Sequence, residues 1–283
     1  MATTAGSVRD ALGAAADALG AAGVDSPRLD AELLLAESTG LDRAVLVADP
    51  EAGIDPAAAR RFGEFVRRRI RREPVAYIVG RRGFRRIDLS VDPRVLIPRP
   101  ETELLVDVAL ELRPGTVLDV GTGSGAVALA VADELADVAV RGTDTSPDAI
   151  AVARANAVRL GLANRAKFDV VARFGRHASE RRQPDGFYDL VLANLPYVAD
   201  ADWPTLAPEI REYEPREALL GGRDGLDPIR ALLAAPPDCA AIALEVGEGQ
   251  APAAEGLVRG SGFGSVERRM DLAGIDRVVV GHR

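Results

Sequence analysis

The sequence predicts an α/β protein in which a doubly wound, mostly parallel sheet follows a small helical domain. Between residues 116 and 246, short apolar runs alternate with helical patterns, and this alternation is typical of repeated βαβ units. The predicted strands are 116–120, 137–143, 166–171, 188–194 and 239–246. A glycine-rich turn directly follows the first strand, whereas residues 1–74 carry only helix signals.

The helix signals of the N-terminal domain are three capping sequences. Ser7 precedes the first apolar stripe, while Ser26-Pro27 and Asp55-Pro56 each place a capping residue before a proline at the first helical position. Pro74 ends the third helix. That helix is expected to turn three apolar side chains inward, at Phe62, Val66 and Ile70. Residues 1–74 are therefore predicted to form a helical bundle.

Two hairpins complete the predicted architecture. Within residues 75–100, "FRRIDLSVDPRVLIP" alternates in part and is rich in β-branched residues, which favours a β-hairpin linker. Residues 101–283 then form the α/β domain. At its end, "SVERRMDLAGIDRVVVG" predicts two strands joined by a turn at Ala273-Gly274. Such a terminal hairpin adds an antiparallel strand to the sheet.

The composition narrows the possible classes of function. Of 283 residues, 47% are hydrophobic and 28% charged, as is usual for soluble globular proteins. The sequence contains neither a membrane-spanning apolar run nor a secretory signal pattern. Since the one cysteine, Cys239, cannot form an internal disulfide, we expect a cytoplasmic protein without a membrane partner. With only His177 and His282 present, no metal site and no Ser-His-Asp triad is expected.

Positive charge is concentrated in residues 60–86, which contain eleven arginines and only two acidic residues, Glu64 and Glu73. The net charge of the whole chain is −8, so the remainder is strongly acidic. The arginine cluster is interpreted as a solvated helix face or as a docking surface for an acidic partner or nucleic acid. The acidic remainder argues against long contact with a phosphate backbone, and no stable nucleic-acid partner is expected.

The segment "LDVGTGSGA" places Gly121, Gly123 and Gly125 between a strand and a helix. Glycines at that position allow a tight turn and close approach of a ligand, and the helix N-terminus beyond them favours an anion. This loop alone is a weak signal. Gly121, Gly123 and Ala126 also satisfy the degenerate dinucleotide pattern, so a nicotinamide enzyme is an open alternative.

Two acidic residues accompany the loop. Asp119 lies two residues before the first glycine, where an acid suits a ligand with a positive amino group better than a pyrophosphate. Asp144 follows the second strand, where a carboxylate can accept both hydroxyls of a ribose. Because a ribose occurs in several cofactors, Asp144 indicates adenosine rather than one cofactor. "DTSPDAI" also begins a helix, which leaves a capping role open for Asp144.

The fourth predicted strand ends in Asn194-Leu195-Pro196-Tyr197, at the edge of the sheet that faces the ligand crevice in open α/β folds. The Asn194 side-chain oxygen and the Leu195 carbonyl can each accept an N–H. Pro196 restricts Leu195 to extended geometry, and Tyr197 offers a flat face to a planar group. Together these groups can hold an –NH2 group, although Asn and Pro are also common in ordinary turns.

The glycine loop with this Asn-x-Pro-Tyr segment resembles class I S-adenosylmethionine methyltransferases that modify nitrogen. More specifically, the chain resembles the HemK/PrmC protein-glutamine N5-methyltransferases over nearly its whole length. The most specific matching segments are "VLIPRPETELLVD" (95–107) and "EPREALLGGRDGL" (214–226). The resemblance implies a helical N-terminal domain for docking the substrate, a β-hairpin linker, and a Rossmann-like, seven-stranded methyltransferase domain.

The resemblance also implies an activity and its site residues. Members of the family methylate the glutamine of the Gly-Gly-Gln motif in class I peptide chain release factors, and S-adenosyl-L-methionine becomes S-adenosyl-L-homocysteine. The implied cofactor contacts are Gly121, Thr122, Gly123, Ser124, Gly125, Asp144, Arg173 and Asn194. The implied substrate contacts are Asn194, Leu195, Pro196 and Tyr197, with Asn194, Pro196 and Tyr197 as the catalytic set. Two positions depart from the family: Ala172, where an acid is usual, and Leu195, where proline is usual.

Catalysis is expected to rest on positioning, because no strong general base lies beside the motif. Three alternatives stay open from the residues alone. A related enzyme could methylate another protein amide or an amino group of a nucleic-acid base, for which a broad basic surface is usual. A nicotinamide dehydrogenase needs a proton-handling residue, which the scarcity of histidine disfavours. A degenerate methyltransferase could serve as a binding module.

Overall fold

The computed structural model describes residues 6–172 and 186–283. Its α-helices, in chain order, are α1 (Val8–Ala21), α2 (Pro27–Thr39), α3 (Arg43–Ala48), α4 (Pro56–Ile70), α5 (Val75–Val79), α6 (Glu103–Leu112), α7 (Ala126–Glu134), α8 (Pro147–Arg159), α9 (Pro208–Tyr213), α10 (Asp227–Ala234) and α11 (Ala251–Gly260). Its β-strands are β1 (Arg81–Phe84), β2 (Ile87–Ser90), β3 (Thr116–Val120), β4 (Ala139–Asp144), β5 (Ala166–Val170), β6 (Tyr188–Ala193), β7 (Cys239–Glu245), β8 (Ser265–Met270) and β9 (Asp276–His282). The chain divides into two compact units, Met1–Gly80 with Ala207–Tyr213 and Arg81–Leu206 with Glu214–Arg283.

The helices of the first unit begin close to where the sequence indicates. The Ser7 hydroxyl accepts the Asp10 N–H at 3.2 Å, and Asp55 accepts the Ala57 N–H at 2.8 Å. Each bond satisfies a backbone donor that has no partner within its helix. Ser26 makes no such bond, and the proline that follows it begins α2. The buried core of the unit lies mainly between α1, α2 and α4.

The end of α4 differs from the expectation. The prediction that Ile70 turns inward is wrong: its side chain is 39% exposed, whereas neighbouring Arg69 is only 7% exposed. Arg69 lies 2.7 Å from Asp30 and 2.8 Å from Glu209. A charge out of water requires such partners, and two carboxylates within this unit supply them. The apolar pattern alone did not contain that information.

Other arginines of the cluster at 60–86 are also committed to ion pairs inside their own units. These pairs are Arg68–Glu73, Arg72–Glu209, Arg85–Asp107 and Arg85–Glu134. The positive charge of the cluster is therefore partly neutralised by neighbouring carboxylates, and it is less available to an external partner than the sequence alone suggests.

The predicted hairpin is present, but it is shorter than residues 75–100. Residues 75–79 form α5 of the first unit, which ends at Gly80 with a φ of +75°. The antiparallel pair β1–β2 follows, with Phe84 opposite Ile87. Both of these side chains are buried, so one face of the hairpin belongs to the hydrophobic core of the second unit.

The second unit contains a seven-stranded sheet in the order β5-β4-β3-β6-β7-β9-β8. Strands β3 to β7 pair in parallel, while β9 runs antiparallel to both β7 and β8. This arrangement confirms the predicted doubly wound sheet with a terminal antiparallel hairpin. Because the chain moves from β3 to β4 on one side and to β6 on the other, the strand order reverses beside β3, where ligand crevices form.

Three strands bring the predicted site residues to one edge of the sheet. Val120, the last residue of β3, is the Cα partner of Thr143 on β4 and of Ala193 on β6. The glycine loop, Asp144 and Asn194 therefore lie at the carboxyl ends of adjacent parallel strands. The register of the sheet, rather than any local signal, places them together.

Candidate active site

The glycine loop makes a tight turn from β3 into α7. Gly121, Gly123 and Gly125 all have positive φ, at +75°, +55° and +84°, where other residues are strained. The loop is fixed on β4, since the N–H groups of Gly121 and Thr122 donate to the Thr143 carbonyl at 2.8 and 2.9 Å. A Cβ on Gly123 would meet no atom within 4 Å, so space is open above this part of the loop.

Asp119 stabilises the loop from inside. It is 2% exposed, and one of its carboxylate oxygens accepts the Thr122 hydroxyl at 2.6 Å and the Ala128 N–H at 3.2 Å. Burial raises the pKa of Asp119 to about 6, and the two hydrogen bonds oppose this shift. The carboxylate thus satisfies a donor in the first turn of α7, which differs from the expected contact with a ligand's amino group.

Asp144 holds the other side of the loop. Its two carboxylate oxygens accept the Gly123 N–H at 3.0 Å and the Ser146 N–H at 2.9 Å. Ser146, not Asp144, is the N-cap of α8, with its hydroxyl accepting the Ala149 N–H at 3.1 Å. Burial raises the pKa of Asp144. An ionised carboxylate has about four acceptor positions, so Asp144 keeps capacity for hydroxyl donors.

Asn194 follows β6 and lies across the crevice from the loop. Its side-chain Nδ2 donates to the hydroxyl of Thr102 at 3.0 Å. The amide carbonyl Oδ1 is the opposite end of the same planar group, so the bond to Thr102 leaves an acceptor for a ligand on the other side. Thr102 itself is 4% exposed and ends the 3₁₀ turn Pro100–Thr102 that precedes α6.

The next three residues have different surroundings. Leu195 is 2% exposed and its side chain belongs to the core of the second unit, so only its backbone can meet a ligand. Pro196 lines the cleft described below, whereas Tyr197 does not. Tyr197 is half-buried, and desolvation raises the pKa of its phenol to about 12. Its ring lies close to Gly247.

The backbone of the Asn-Leu-Pro-Tyr segment is clamped by the glycines of "GGRDG". A Cβ on Gly221 would lie 2.5 Å from the Pro196 carbonyl oxygen, and one on Gly225 would lie 2.1 Å from the Tyr197 carbonyl oxygen. The Tyr197 carbonyl also accepts the side-chain N–H of Gln250 at 2.9 Å. This close packing explains glycine at both positions, for which sequence reasoning assigned no role.

A cleft of about 320 Å³ opens over these groups. The predicted residues that line it are Gly121, Gly123, Asp144, Asn194 and Pro196. The cleft is also lined by residues to which no sequence motif assigned a role, and these are Arg94, Val95, Leu96, Thr145, Ser146, Ala149, Pro215, Glu217 and Ala218. Two further walls of the cleft come from residues 94–96 and from residues 215–218. The segments "VLIPRPETE" and "EPREAL" contain most of these residues and were the sequence signal that could have indicated them.

One buried carboxylate holds these two walls in place. Glu214 accepts the Ile97 N–H at 3.0 Å and pairs with the Arg99 guanidinium, while its own side chain is 1% exposed. The ionisable groups that line the cleft are Arg94, Asp144 and Glu217. The described lining offers side-chain acceptors at Asp144, Asn194 and Glu217 and contains no histidine or lysine, so the cleft suits binding and orientation of a donor group.

Four of the predicted cofactor contacts have no described position in the lining of the cleft. Arg173 lies outside the described residues. Thr122, Ser124 and Gly125 form the loop but do not line the cleft, because the first two are buried and Gly125 packs toward Leu129. Within residues 6–172 and 186–283, no cluster of three or more His, Cys, Asp or Glu side chains could hold a metal ion. No helix in this part of the chain is long and apolar enough to span a membrane.

Comparison with known proteins gives concordant results for both units. Residues 10–80 match the family model for the PrmC N-terminal domain, and residues 117–213 match one for a methyltransferase domain. A release factor glutamine methyltransferase from Geobacter sulfurreducens is 40% identical over 267 residues, covering 92% of this chain and 90% of that protein. Its counterpart from Moorella thermoacetica is 41% identical over 288 residues, covering 98% of each chain.

A solved structure supports the fold alone. The hMettl16 catalytic domain, in complex with the MAT2A 3'UTR hairpin 6, superposes with a TM-score of 0.55 at 13% identity. The match covers 69% of this chain and 74% of that chain.

Proposed function

The chain belongs to the release factor glutamine methyltransferase family, and from this premise we propose which group it transfers and which atom of the substrate receives that group. It transfers a methyl group from S-adenosyl-L-methionine to the side-chain amide nitrogen N5 of a glutamine. The glutamine is that of the Gly-Gly-Gln motif in class I peptide chain release factors. A cytoplasmic location is part of the proposal, because the single cysteine fits a reducing compartment.

One observation carries the proposal: a side-chain amide and a nucleotide-type loop share one cleft. Asn194 presents its Oδ1 acceptor at the end of β6, and Gly121, Gly123 and Asp144 line the same cleft from β3 and β4. An –NH2 group held against Asn194 therefore lies beside the place where the donor binds.

The residues present fit the methyl donor. Gly123 has open space where a Cβ would point, so the donor can approach the backbone. Asp144 retains acceptor capacity for the two ribose hydroxyls. When bound, S-adenosyl-L-methionine supplies an electrophilic methyl group on a sulfonium centre. Arg173 is assigned to the adenine on family resemblance alone.

The chain's own groups act on the substrate amide. An amide nitrogen is a weak nucleophile because its lone pair is delocalised. Asn194 Oδ1 and the Leu195 carbonyl each accept one N–H, which fixes the plane of the –NH2 group. As positive charge develops on that nitrogen, both bonds strengthen, so they stabilise the transition state more than the ground state. Pro196 keeps Leu195 extended, and solvent takes the proton.

The function is tested by mass spectrometry of class I release factors after incubation with the purified protein and labelled methyl donor. We expect one added methyl group on the glutamine of Gly-Gly-Gln, and none after that glutamine is changed to alanine. Methylation of an adenine or guanine in nucleic acid, with the release factor unmodified, would contradict the proposal.

For Asp144→Ala we expect the Kd for S-adenosyl-L-methionine to rise by on the order of 10²–10⁴-fold. The reason is the loss of charge-assisted bonds to the ribose, each worth roughly 1.5–3 kcal/mol. Isothermal calorimetry measures the change. Asp169→Ala is the control, since Asp169 pairs with Arg141 on the neighbouring strand and does not line the cleft. An unchanged Kd in folded Asp144→Ala would rule out the ribose assignment.

We further propose that the helical unit docks the release factor. Leu29 and Leu33 lie one turn apart on the same face of α2, and their side chains are 42% and 36% exposed. Exposed apolar pairs of this kind are available for a protein partner. The double change Leu29→Ser and Leu33→Ser is expected to lower kcat/KM on the intact release factor about tenfold. A short Gly-Gly-Gln peptide should be methylated as before.

The matched control for this prediction is Val158→Ser, because Val158 is 71% exposed on α8 of the other unit. Its rate on the intact release factor should stay at the wild-type value. Equal losses of the α2 double variant on protein and peptide would mean that this face only supports folding.

A further inference from the structure

The turn that joins β8 to β9 has an apolar apex, and we call residues 270–275 the hairpin tip. Leu272 is fully exposed, and Met270, which ends β8, is 61% exposed. Tight turns more often carry glycine, proline, asparagine, aspartate or serine. Because the Leu272 side chain is not packed into the core of the second unit, the fold itself does not explain a large apolar residue at this position.

The backbone of the hairpin tip is fixed by the Asp271 carboxylate. One carboxylate oxygen accepts the N–H groups of Ala273 and Ile275 at 2.9 and 3.0 Å. The other accepts the Arg277 Nε–H at 2.9 Å, and the Asp271 N–H donates to the Ile275 carbonyl at 2.9 Å. The turn therefore presents Leu272 on an ordered backbone, and a preorganised group loses less conformational entropy when it binds a partner.

The register of the sheet places the hairpin tip beyond the edge at which the cleft opens. Ala193, which ends β6, is the Cα partner of Leu244 on β7, and the next residue of β7, Glu245, is the partner of Val278 on β9. From Val278, β9 extends past this level by two more residues, to Asp276. Since an antiparallel strand rises about 3.4 Å per residue, the hairpin tip begins about 7 Å beyond the carboxyl ends of β6 and β7.

The hairpin tip is also close to the site across the sheet. β9 is two strands away from β6 in the sheet order, which corresponds to about 10 Å. Packed groups connect the two: a Cβ on Gly247 would lie 3.1 Å from the Tyr197 ring, and the Val246 N–H donates to the Arg277 carbonyl at 2.9 Å. Arg277 in turn pairs with Asp271. The hairpin tip therefore borders the site on the β7 side, and the glycine loop borders it on the β3 side.

We propose that the hairpin tip docks the protein substrate, and that Leu272 packs against an apolar side chain of the release factor outside its Gly-Gly-Gln motif. The inference rests on the proposed function. A cleft of about 320 Å³ has the size of a small-molecule site, so a folded protein that inserts one glutamine lies mostly outside the cleft, across the carboxyl edge of the sheet. The hairpin tip projects from this edge and presents an apolar group to that protein.

The charges around the hairpin tip favour a protein over a nucleic acid as the partner. Arg277 is paired with Asp271 at 2.9 Å, and Arg268 is paired with Asp276 at 3.1 Å. Both guanidinium groups are neutralised by these carboxylates, so the surface here offers little net positive charge to phosphate groups. An apolar apex among neutralised charges matches the centre of a protein–protein contact, from which charged residues are depleted.

The test compares Leu272→Ser with Leu272→Met. Calorimetry measures the Kd of the intact class I release factor with S-adenosyl-L-homocysteine bound, a measurement that does not depend on methyl transfer. Loss of one leucine from an apolar contact should raise this Kd by about 10–10²-fold in Leu272→Ser. Methionine has a similar volume and should preserve the Kd. The Kd of a short Gly-Gly-Gln peptide should be unchanged in both variants, because the peptide does not reach the hairpin tip.

Steady-state rates give a second readout. In Leu272→Ser, KM for the intact release factor should rise while kcat stays at the wild-type value, because a docking contact binds the ground state and the transition state equally. The thermal unfolding midpoint should stay that of the wild type, since the Leu272 side chain is fully exposed.

Leu112→Ser is the matched control. Leu112 is 43% exposed at the end of α6, which leads into the amino end of β3, so this leucine lies at the opposite edge of the sheet. Its replacement should leave the Kd of the release factor unchanged. An unchanged Kd in Leu272→Ser, or an equal rise in Leu112→Ser, would overturn the proposal. Loss of self-association in Leu272→Ser, with the Kd of the release factor preserved, would assign the hairpin tip to a second copy of the chain and would also overturn it.

The docking site and the proposed function can fail separately. If the release factor binds through Leu272 but no glutamine is methylated, the docking site stands and the proposed function fails. If the glutamine is methylated and Leu272→Ser leaves both the Kd and the KM of the intact release factor unchanged, the function stands and the docking site fails.

Discussion

Replacing Asn194 by alanine is expected to lower kcat by about 10²–10³-fold. The effect of losing one preorganised group that binds more strongly in the transition state is of this order. In the proposed mechanism Asn194 Oδ1 is such a group, and the bond from Nδ2 to Thr102 holds the side chain in place before the substrate arrives. Initial rates of methyl transfer to the release factor, followed with labelled donor, measure the loss.

The fold should not depend on the Asn194 side chain, which is only half-buried. The thermal unfolding midpoint of Asn194→Ala is therefore expected near that of the wild type. Asn164→Ala, in an exposed turn between α8 and β5, is the control for removing an asparagine and should retain full turnover. Near-normal turnover of Asn194→Ala would contradict the account of catalysis by positioning.

A methyl group at Gly225 is expected to damage both the fold and the site. In Gly225→Ala, the new Cβ would lie 2.1 Å from the Tyr197 carbonyl oxygen and 2.3 Å from Gln250 Nε2, at a φ of +77°. Overpacking and a left-handed backbone together cost about 3 kcal/mol in the free energy of unfolding. Since the clash pushes on the backbone after Asn194, a shift of even 1 Å should lower kcat by about 10²-fold.

Denaturant unfolding measures the stability of Gly225→Ala, and rates are taken at a temperature where it is folded. Gly256→Ala is the matched control: this glycine lies within α11, and a Cβ there would meet no atom within 4 Å. Alanine in a helix interior is better than glycine by roughly 0.5–1 kcal/mol, so this variant should be slightly more stable. If Gly225→Ala and Gly256→Ala had the same stability and the same kcat, the close packing of Gly225 against the Tyr197 backbone would not be needed for the fold or the activity.

The fold was predictable to the extent that it depends on local patterns. The strands of the sheet are short apolar runs bounded by turns and helices, and their limits agree with prediction to within about two residues. Asp144 and Asn194 were predictable because a parallel sheet gathers strand ends at one edge. Residue types and spacing were sufficient for both conclusions.

The features of the fold and of the candidate site that could not be predicted depend on contacts between distant parts of the chain. Thr102 and Asn194 are 92 residues apart, and no pattern near either one indicates the other. Asp119 shows a second difficulty, since an acid at a strand end serves a ligand or the following helix equally well by sequence. In α4, Arg69 is buried in preference to Ile70 because carboxylates from elsewhere in its unit surround it, and hydrophobic periodicity takes no account of such partners.

The division of the chain has a consequence for biosynthesis. The helical unit includes Ala207–Tyr213, which the ribosome adds long after α5 and only after β6 has been synthesised. Until then Arg69 and Arg72 lack the carboxylate of Glu209. The unit is therefore completed late, after the segment that follows Asn194, and a nascent chain arrested before that point would carry an incomplete helical unit and an incomplete cleft.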